Sequence, residues 1–242
     1  MELMSLVGAI LVGYFLGSIS FTRLFARVFG IEKEIEKTDM DIRGTDEKFS
    51  FHSVSATSMA VKKGPLFGMT VSLLDMLKAY IPVTYYLRTY PTEYHYLVVS
   101  LACLLGHNFP IFYRFKGGRG MSPLFGSLFA FDWKSVLVSS IGGLVFGLII
   151  MRDMFFAFTS GPLFLIPYFW LTKKSLAFLI YSVLLNLLFW VAVIPEIRTY
   201  LRLRKMGVLQ EAERLERADP SKGGTLGRFA KIFKLTKEDD DQ

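Results

Sequence analysis

Long apolar runs alternate with short polar connectors along this chain, and the lengths of the runs set the first expectation. A helix needs roughly 20 apolar residues, each rising about 1.5 Å, to cross the hydrocarbon of a bilayer. Runs of that order fall near 4–29, 65–87, 95–113, 134–151, 153–171 and 175–194. A further run, 121–131, is too short to span by itself. It reads as half-inserted, re-entrant or strongly tilted, which lipid tolerates only where protein or a watery cavity covers the backbone. The pattern predicts an all-α, polytopic integral membrane protein with about seven transmembrane or half-inserted helices. Residues 1–197 form the membrane domain in this reading, and 198–242 form a cytoplasmic basic tail.

Composition points the same way. Hydrophobic residues make up 52% of the 242 and charged residues 20%, against about 45–50% and 25% in soluble domains. That excludes an ordinary cytosolic enzyme, and the 15% of aromatic residues exclude disorder. Cys103 is the single cysteine, so there is neither an intrachain disulfide nor a cysteine cluster for zinc. His52, His95 and His107 lie far apart in the chain. No metal, cofactor or nucleic-acid partner is expected. The first residues, MELMSLVGAILVGYFLG, lack a basic leader and a cleavage site, and read as a retained helix. No second half echoes the first, which weakens an inverted-repeat transporter.

The net charge is +7, and its distribution orients the chain. With seven crossings, one side collects Lys33, Lys37, Arg43, Lys48, Lys62 and Lys63, then Arg114, Lys116 and Arg119, then Arg152 and the basic residues after Ile197. The other side holds only Arg88, Lys134, Lys173 and Lys174. The positive-inside rule then places the C-terminus and both long polar loops in the cytoplasm and the N-terminus outside, in a cell inner membrane. Arg23 and Arg27 are expected to snorkel from the first helix toward the headgroups. Asp75 and Lys78 stand three residues apart inside the second helix, hence on one face, and such a pair must turn toward protein or a watery cleft. In the tail, 208–219 reads as helical. RFAKIFKLTK at 228–237 sets Phe229, Ile232 and Phe233 against Arg228, Lys231 and Lys234, a basic amphipathic segment suited to an anionic inner leaflet.

The strongest local signal is Arg114-Phe115-Lys116-Gly117-Gly118-Arg119-Gly120, directly before the short apolar run. Its glycines let the backbone approach a ligand and turn N–H groups toward it, and Lys116 and Arg119 add positive charge. A helix beginning there would aim its dipole the same way. The loop is suited to a phosphate. It can equally be a cytoplasmic turn that obeys the positive-inside rule.

Four other segments accompany it in order: Gly17-Ser18-Ile19-Ser20-Phe21, Ser55-Ala56-Thr57-Ser58, Leu73-Leu74-Asp75-Met76-Leu77-Lys78, and Gly106-His107-Asn108-Phe109-Pro110. In this order and spacing, residues 8 to 130 resemble the bacterial acyl-phosphate:glycerol-3-phosphate acyltransferases (PlsY-type). That family's pattern reads GSIPF, SGNxGATN, LLDxLKG and GHxFPxFxxFKGGKG. The resemblance implies a multi-helix membrane enzyme that moves a fatty acyl group from acyl phosphate to the 1-hydroxyl of glycerol 3-phosphate. Its product is lysophosphatidic acid, for phospholipid biosynthesis. It further implies Lys116, Arg119, Thr57 and Ser53 as catalytic, and Gly117, Gly118, Gly120, Ser122 and Ser55 as phosphate-binding. Ser18, Asp75, Lys78 and His107 are implied as supporting residues. His107 reads either as a base or as an anchor for the helix end near Pro110. No Ser-His-Asp or His-x4-Asp arrangement is legible: Thr57, Ser100 and Phe112 stand where that acid would follow each histidine.

The match departs from the family in places. The family's serine, glycine, asparagine and second glycine fall on Phe51, His52, Ser53 and Ser55, and its following arginine on Val61. Lys62 and Lys63 stand close enough in sequence to substitute. The alanine-threonine after the glycine loop is Ser122-Pro123, where the proline suits the first residue of a helix. A third family motif has no clear counterpart in Pro195-Glu196-Ile197-Arg198-Thr199-Tyr200-Leu201-Arg202. A relative that keeps the phosphate loop without the chemistry, and a small-solute transporter, remain as alternatives.

Overall fold

A computed structural model describes residues 2–42 and 46–209. The elements run α1 (Glu2–Ser18), α2 (Phe21–Val28), α3 (Glu32–Ile35), β1 (Thr38–Asp41), β2 (Lys48–Phe51), α4 (Ala56–Lys63), α5 (Pro65–Thr89), α6 (His95–Asn108), α7 (Met121–Phe131), α8 (Trp133–Leu144), α9 (Met154–Thr159), α10 (Leu165–Lys173) and α11 (Leu176–Lys205). Among the described residues five helical stretches are long and apolar enough to cross a membrane: Leu3–Val28, Pro65–Thr89, His95–Tyr113, Trp133–Ile150 and Leu176–Lys205. At about 1.5 Å per residue, the 11 residues of α7 cover roughly half of a hydrocarbon core, in keeping with a half-inserted segment.

Three local features depart from the hydropathy pattern. The expected crossing over 153–171 is broken into α9, a 3-10 turn at Gly161–Phe164 and α10. The break falls where Pro162 supplies no backbone N–H and Ser160 folds its hydroxyl back onto the Phe156 carbonyl at 2.7 Å. A second departure is a two-stranded sheet, β1 with β2, inside the long first polar loop. Its four-residue strands sit among charges and carry no hydropathy signal. The third is α11, which runs through Pro195 to Lys205 rather than ending near 194. Of the expected tail segments, 228–237 and the part of 208–219 from residue 210 on lie outside the described residues.

The chain divides into two compact units. One comprises Met1–Thr38 and His52–Ile194, the other Asp39–Phe51 and the described residues from Pro195. In the second unit Ile42, Leu203 and Val208 pack with Phe49 and Leu209, and Lys48 pairs with Asp41 across the strands at 3.1 Å.

The first unit carries the helical bundle. α1 and α6 pack backbone to backbone: a Cβ on Gly17 would overlap the Cys103 carbonyl, one on Gly106 the Tyr14 carbonyl, and one on Gly13 would lie 2.6 Å from the Val99 oxygen. Such small-residue contacts drive helix association where lipid removes the usual hydrophobic contrast. Polar links cross the bundle as well, among them Ser100 Oγ with the Tyr181 hydroxyl at 2.8 Å and Tyr14 OH donating to the Phe109 carbonyl at 2.9 Å. Bonds of this kind are worth about 0.6 kcal/mol each in lipid. Phe131, Phe169, Phe178 and Tyr181 form an aromatic cluster that joins α7, α10 and α11. Leu66, Met69, Ile149, Leu171 and Leu176 are all two thirds or more exposed, a rim that water would penalise and acyl chains solvate. A smaller core of Ala26, Ile31, Ile35, Val54, Met59 and Val71 seats α2, α3 and α4 against α5.

Candidate active site

Five elements converge at one end of this unit. Asp75 and Lys78, one turn apart on α5, are both buried and form the expected ion pair at 2.7 Å. The Lys78 ammonium also donates to the Ile19 carbonyl at 2.6 Å, just past α1, and contacts His107 Nδ1 on α6 at 3.0 Å. His107 then meets the glycine loop. Its carbonyl accepts from Gly118 N–H at 3.1 Å, and a Cβ on Gly118 would overlap its Nε2. Gly118 must therefore be glycine because the imidazole occupies the side-chain position.

The loop is shaped by a tight reversal. Pro110 O accepts from the amides of Tyr113 at 3.1 Å and Phe115 at 3.0 Å. Arg114 and Phe115 take left-handed backbone conformations, φ 52° and 60°, which non-glycine residues adopt at some energetic cost. Gly117 O accepts from Val54 N–H at 3.0 Å, joining the loop to the segment before α4. Gly120, with φ 90°, caps α7, a position open to glycine by its lack of Cβ. Beside it Asn108 donates from Nδ2 to the Leu188 carbonyl at 3.0 Å.

Arg119 extends from the loop to α4. Its Nη2 donates to Thr57 Oγ1 in the first turn of α4 at 2.7 Å. Ser55, the residue before α4, is buried, and its Oγ makes no hydrogen bond among the described residues. Ser53 is buried too, with its carbonyl taking the Ser58 hydroxyl at 2.9 Å. The arrangement sets a guanidinium, a threonine hydroxyl and an unsatisfied serine hydroxyl beside a helix N-terminus, a combination suited to an anion.

The structure brings Thr57, Ser55, Arg119, Gly117, Gly118, His107, Lys78 and Asp75 into this one network. Other expected residues depart from it. Gly118, although within the network, does not offer its amide to a ligand, because His107 O already accepts it. Lys116 is exposed; its carbonyl takes a bond from Arg23 Nη2 at 3.1 Å, and among the described residues its ammonium joins neither Thr57 nor Arg119. Ser122 bonds Ser72 through their hydroxyls at 2.9 Å, and α7 begins at Met121, two residues before Pro123. Ser18 donates to the Tyr14 carbonyl of its own helix at 2.8 Å. Lys63, one of the two lysines near the arginine position that Val61 occupies, lies over the Phe29 ring, 5.3 Å from its centre.

Arg23 emerges as a residue that hydropathy reasoning assigned to the headgroups. It turns inward to Glu36 at 2.6 Å, to the Lys116 carbonyl, and over the Tyr113 ring at 5.0 Å. The hydrogen bond from Arg23 holds the Glu36 carboxyl below its ordinary value, with the charges of Arg23 and Lys116 adding to the effect. A hollow of about 310 Å³ opens there, lined by Arg23, Arg27, Glu32, Lys33, Glu36 and Tyr113. Its arginines are already matched by carboxylates, so it is less suited to an anion than the Arg119 side. No group of three or more His, Cys, Asp and Glu side chains placed to hold a metal occurs among the described residues.

The sequence profile described as "Glycerol-3-phosphate acyltransferase" matches residues 7–203. The chain belongs to the glycerol-3-phosphate acyltransferase family. Glycerol-3-phosphate acyltransferase 2 of Thermotoga maritima is 33% identical over 135 residues, 56% of this chain and 63% of that protein. This chain thus spans just under two thirds of the length of that relative. The Haemophilus influenzae glycerol-3-phosphate acyltransferase is 31% identical over 170 residues, 69% of this chain and 78% of its own. Among solved structures, the glycerol 3-phosphate form of PlsY (YgiH), an integral membrane glycerol 3-phosphate acyltransferase, superposes with a TM-score of 0.65 at 23% identity. That match covers 83% of this chain and 94% of PlsY. The fold is therefore that of a multi-pass integral membrane protein, mostly helical.

Proposed function

We propose that this chain transfers a fatty acyl group from acyl phosphate to the 1-hydroxyl of glycerol 3-phosphate, forming lysophosphatidic acid and inorganic phosphate for phospholipid biosynthesis. The observation that carries the reading is the bond from Arg119 to Thr57. It ties the glycine loop to the first family motif through a cationic side chain. Kinship with proteins named glycerol-3-phosphate acyltransferase supports the substrate, and PlsY has been solved in both glycerol 3-phosphate and lysophosphatidic acid forms.

Acyl phosphate is a mixed anhydride with a good leaving group, so the protein's task is to hold two anions and a hydroxyl together against their repulsion. Arg119, with Lys116 at the loop's outer edge, offsets the charge on the phosphoryl oxygens. Thr57, Ser55 and Ser53 orient the glycerol phosphate, Gly117 and Gly120 let backbone approach it, and Ser122 stands at the start of α7. The glycerol hydroxyl attacks the acyl carbon, the bond from that carbon to the phosphate oxygen breaks, and a phosphate oxygen takes the hydroxyl proton. The charge bias of the loops supports an inner-membrane setting with the N-terminus outside and the C-terminus cytoplasmic. In the same reading residues 1–197 are the membrane domain and the basic tail, 198–242, lies on the anionic inner leaflet.

Purified protein in detergent, given palmitoyl phosphate and glycerol 3-phosphate, tests this by phosphate release. Lysophosphatidic acid should form, and Gly118→Trp or Lys116→Ala should abolish it. A second reading, a relative that binds phosphate without turnover, is favoured by Val61 in the arginine position and by Lys63 stacked on Phe29. It predicts no product from acyl phosphate, acyl-CoA or acyl carrier protein alongside retained phosphate binding.

A further inference from the structure

His107 is held in a way that defines which of its nitrogens carries hydrogen. An ammonium has three N–H donors and no lone pair, and Lys78 has three acceptors around it: Ile19 O at 2.6 Å, Asp75 Oδ1 at 2.7 Å and His107 Nδ1 at 3.0 Å. The last of these contacts requires a lone pair on Nδ1. His107 is then a neutral imidazole with its hydrogen on Nε2. Nε2 is the atom that lies against Gly118, in the space where a side chain at that position would start.

The same residue removes a donor from the loop. Gly118 N–H, which a glycine cradle would turn toward a ligand, is engaged by the His107 carbonyl at 3.1 Å. One residue thus engages the Gly118 backbone donor and sets its own Nε2 against the same glycine.

We propose that His107 Nε2–H replaces the Gly118 amide as a donor to the substrate phosphate, with Lys78 and Asp75 as positioning residues that lock the tautomer from behind. The identity of the anion rests on the acyltransferase reading given above; the tautomer rests on the Lys78 contact alone. The role differs from that of a general base, since a hydrogen-bearing Nε2 gives a hydrogen bond and accepts none.

The test uses full-length protein in detergent, labelled with 15N-histidine and 15N-arginine, in a His52→Gln/His95→Gln background that leaves His107 as the single histidine. Its free spectrum should show a pyrrole-type Nε2 and a pyridine-type Nδ1, and inorganic phosphate should move the Nε2 signal. His107→Asn keeps an acceptor for Lys78 and loses the Nε2 donor, so it should weaken phosphate binding on the order of ten- to a hundredfold with little change in melting temperature. His107→Gln, which restores an N–H near the Nε2 position, should recover part of that loss. A hydrogen found on Nδ1, or wild-type phosphate affinity in His107→Asn, overturns the proposal. If phosphate moves the Arg119 guanidinium signals but not His107, this inference falls while the phosphate site stands. If neither moves, both fall.

Discussion

Arg119 and Thr57, 62 residues apart in sequence, meet at 2.7 Å through Nη2 and Oγ1. A hydrogen bond to a charged group contributes about 1.5–3 kcal/mol, and here it also joins the glycine loop to α4. Arg119→Lys keeps the charge but loses the planar fork. We expect it to weaken inorganic phosphate binding about tenfold, and Thr57→Val to weaken it comparably. Calorimetric titration of both single variants and the double should give strong non-additivity. Additive losses would show that the two side chains act independently.

Gly118→Ala places a methyl group where the His107 imidazole lies. The backbone has no easy retreat, because Gly118 N–H is bound to His107 O and Gly117 O to Val54 N–H. Overpacking of this kind costs about 1–3 kcal/mol. The melting temperature in detergent should drop and phosphate binding should weaken with it; an unchanged melting temperature would mean that the loop can move aside.

Breaking the buried pair should hurt more than removing it. Lys78→Met leaves the Asp75 carboxylate without its cation, at a cost of about 3–5 kcal/mol, whereas Asp75→Asn/Lys78→Met together leave no unpaired charge. Thermal unfolding should rank wild type above the double variant and the double variant above Lys78→Met.

The Arg23–Glu36 contact carries a pH signature. Arg23 lowers the Glu36 carboxyl in the folded chain, so the pair stabilises the fold above the unfolded carboxyl's value, and that contribution is lost as pH falls through the folded value. Glu36 is more than half exposed, so the whole effect is at most about 1 kcal/mol. Glu36→Gln should melt slightly below wild type at neutral pH, and the gap should close below about pH 4.

Much of the bundle was legible because a bilayer imposes a single strong requirement, a long apolar run. The run over 65–87 became α5, Pro65–Thr89, and 134–151 became α8 with its π-helical extension, Val145–Ile150. The stretch over 153–171 misled because hydropathy is blind to Gly161-Pro162, where the backbone breaks although the side chains stay apolar. Asp75 with Lys78 was legible from helical spacing alone. The partners of Arg23 were not, since they come from the residue that follows α3 and from the loop before α7, which only the folded chain brings near. Nor was the Gly118 amide: a row of glycines announces backbone access, but which N–H groups remain available depends on the carbonyl opposite, and that is a matter of tertiary placement.

With α1 and α6 touching main chain to main chain at Gly13, Gly17 and Gly106, no rotamer change can cushion a sideways shift between them. A displacement of the lipid-facing α1 passes undamped into α6, and α6 ends at His107 and Asn108, on which the glycine loop rests. The glycine loop is therefore mechanically continuous with the membrane wall. Acyl-chain packing in the surrounding leaflet thus bears on where that loop is held, and in the proposed reading on phosphate affinity.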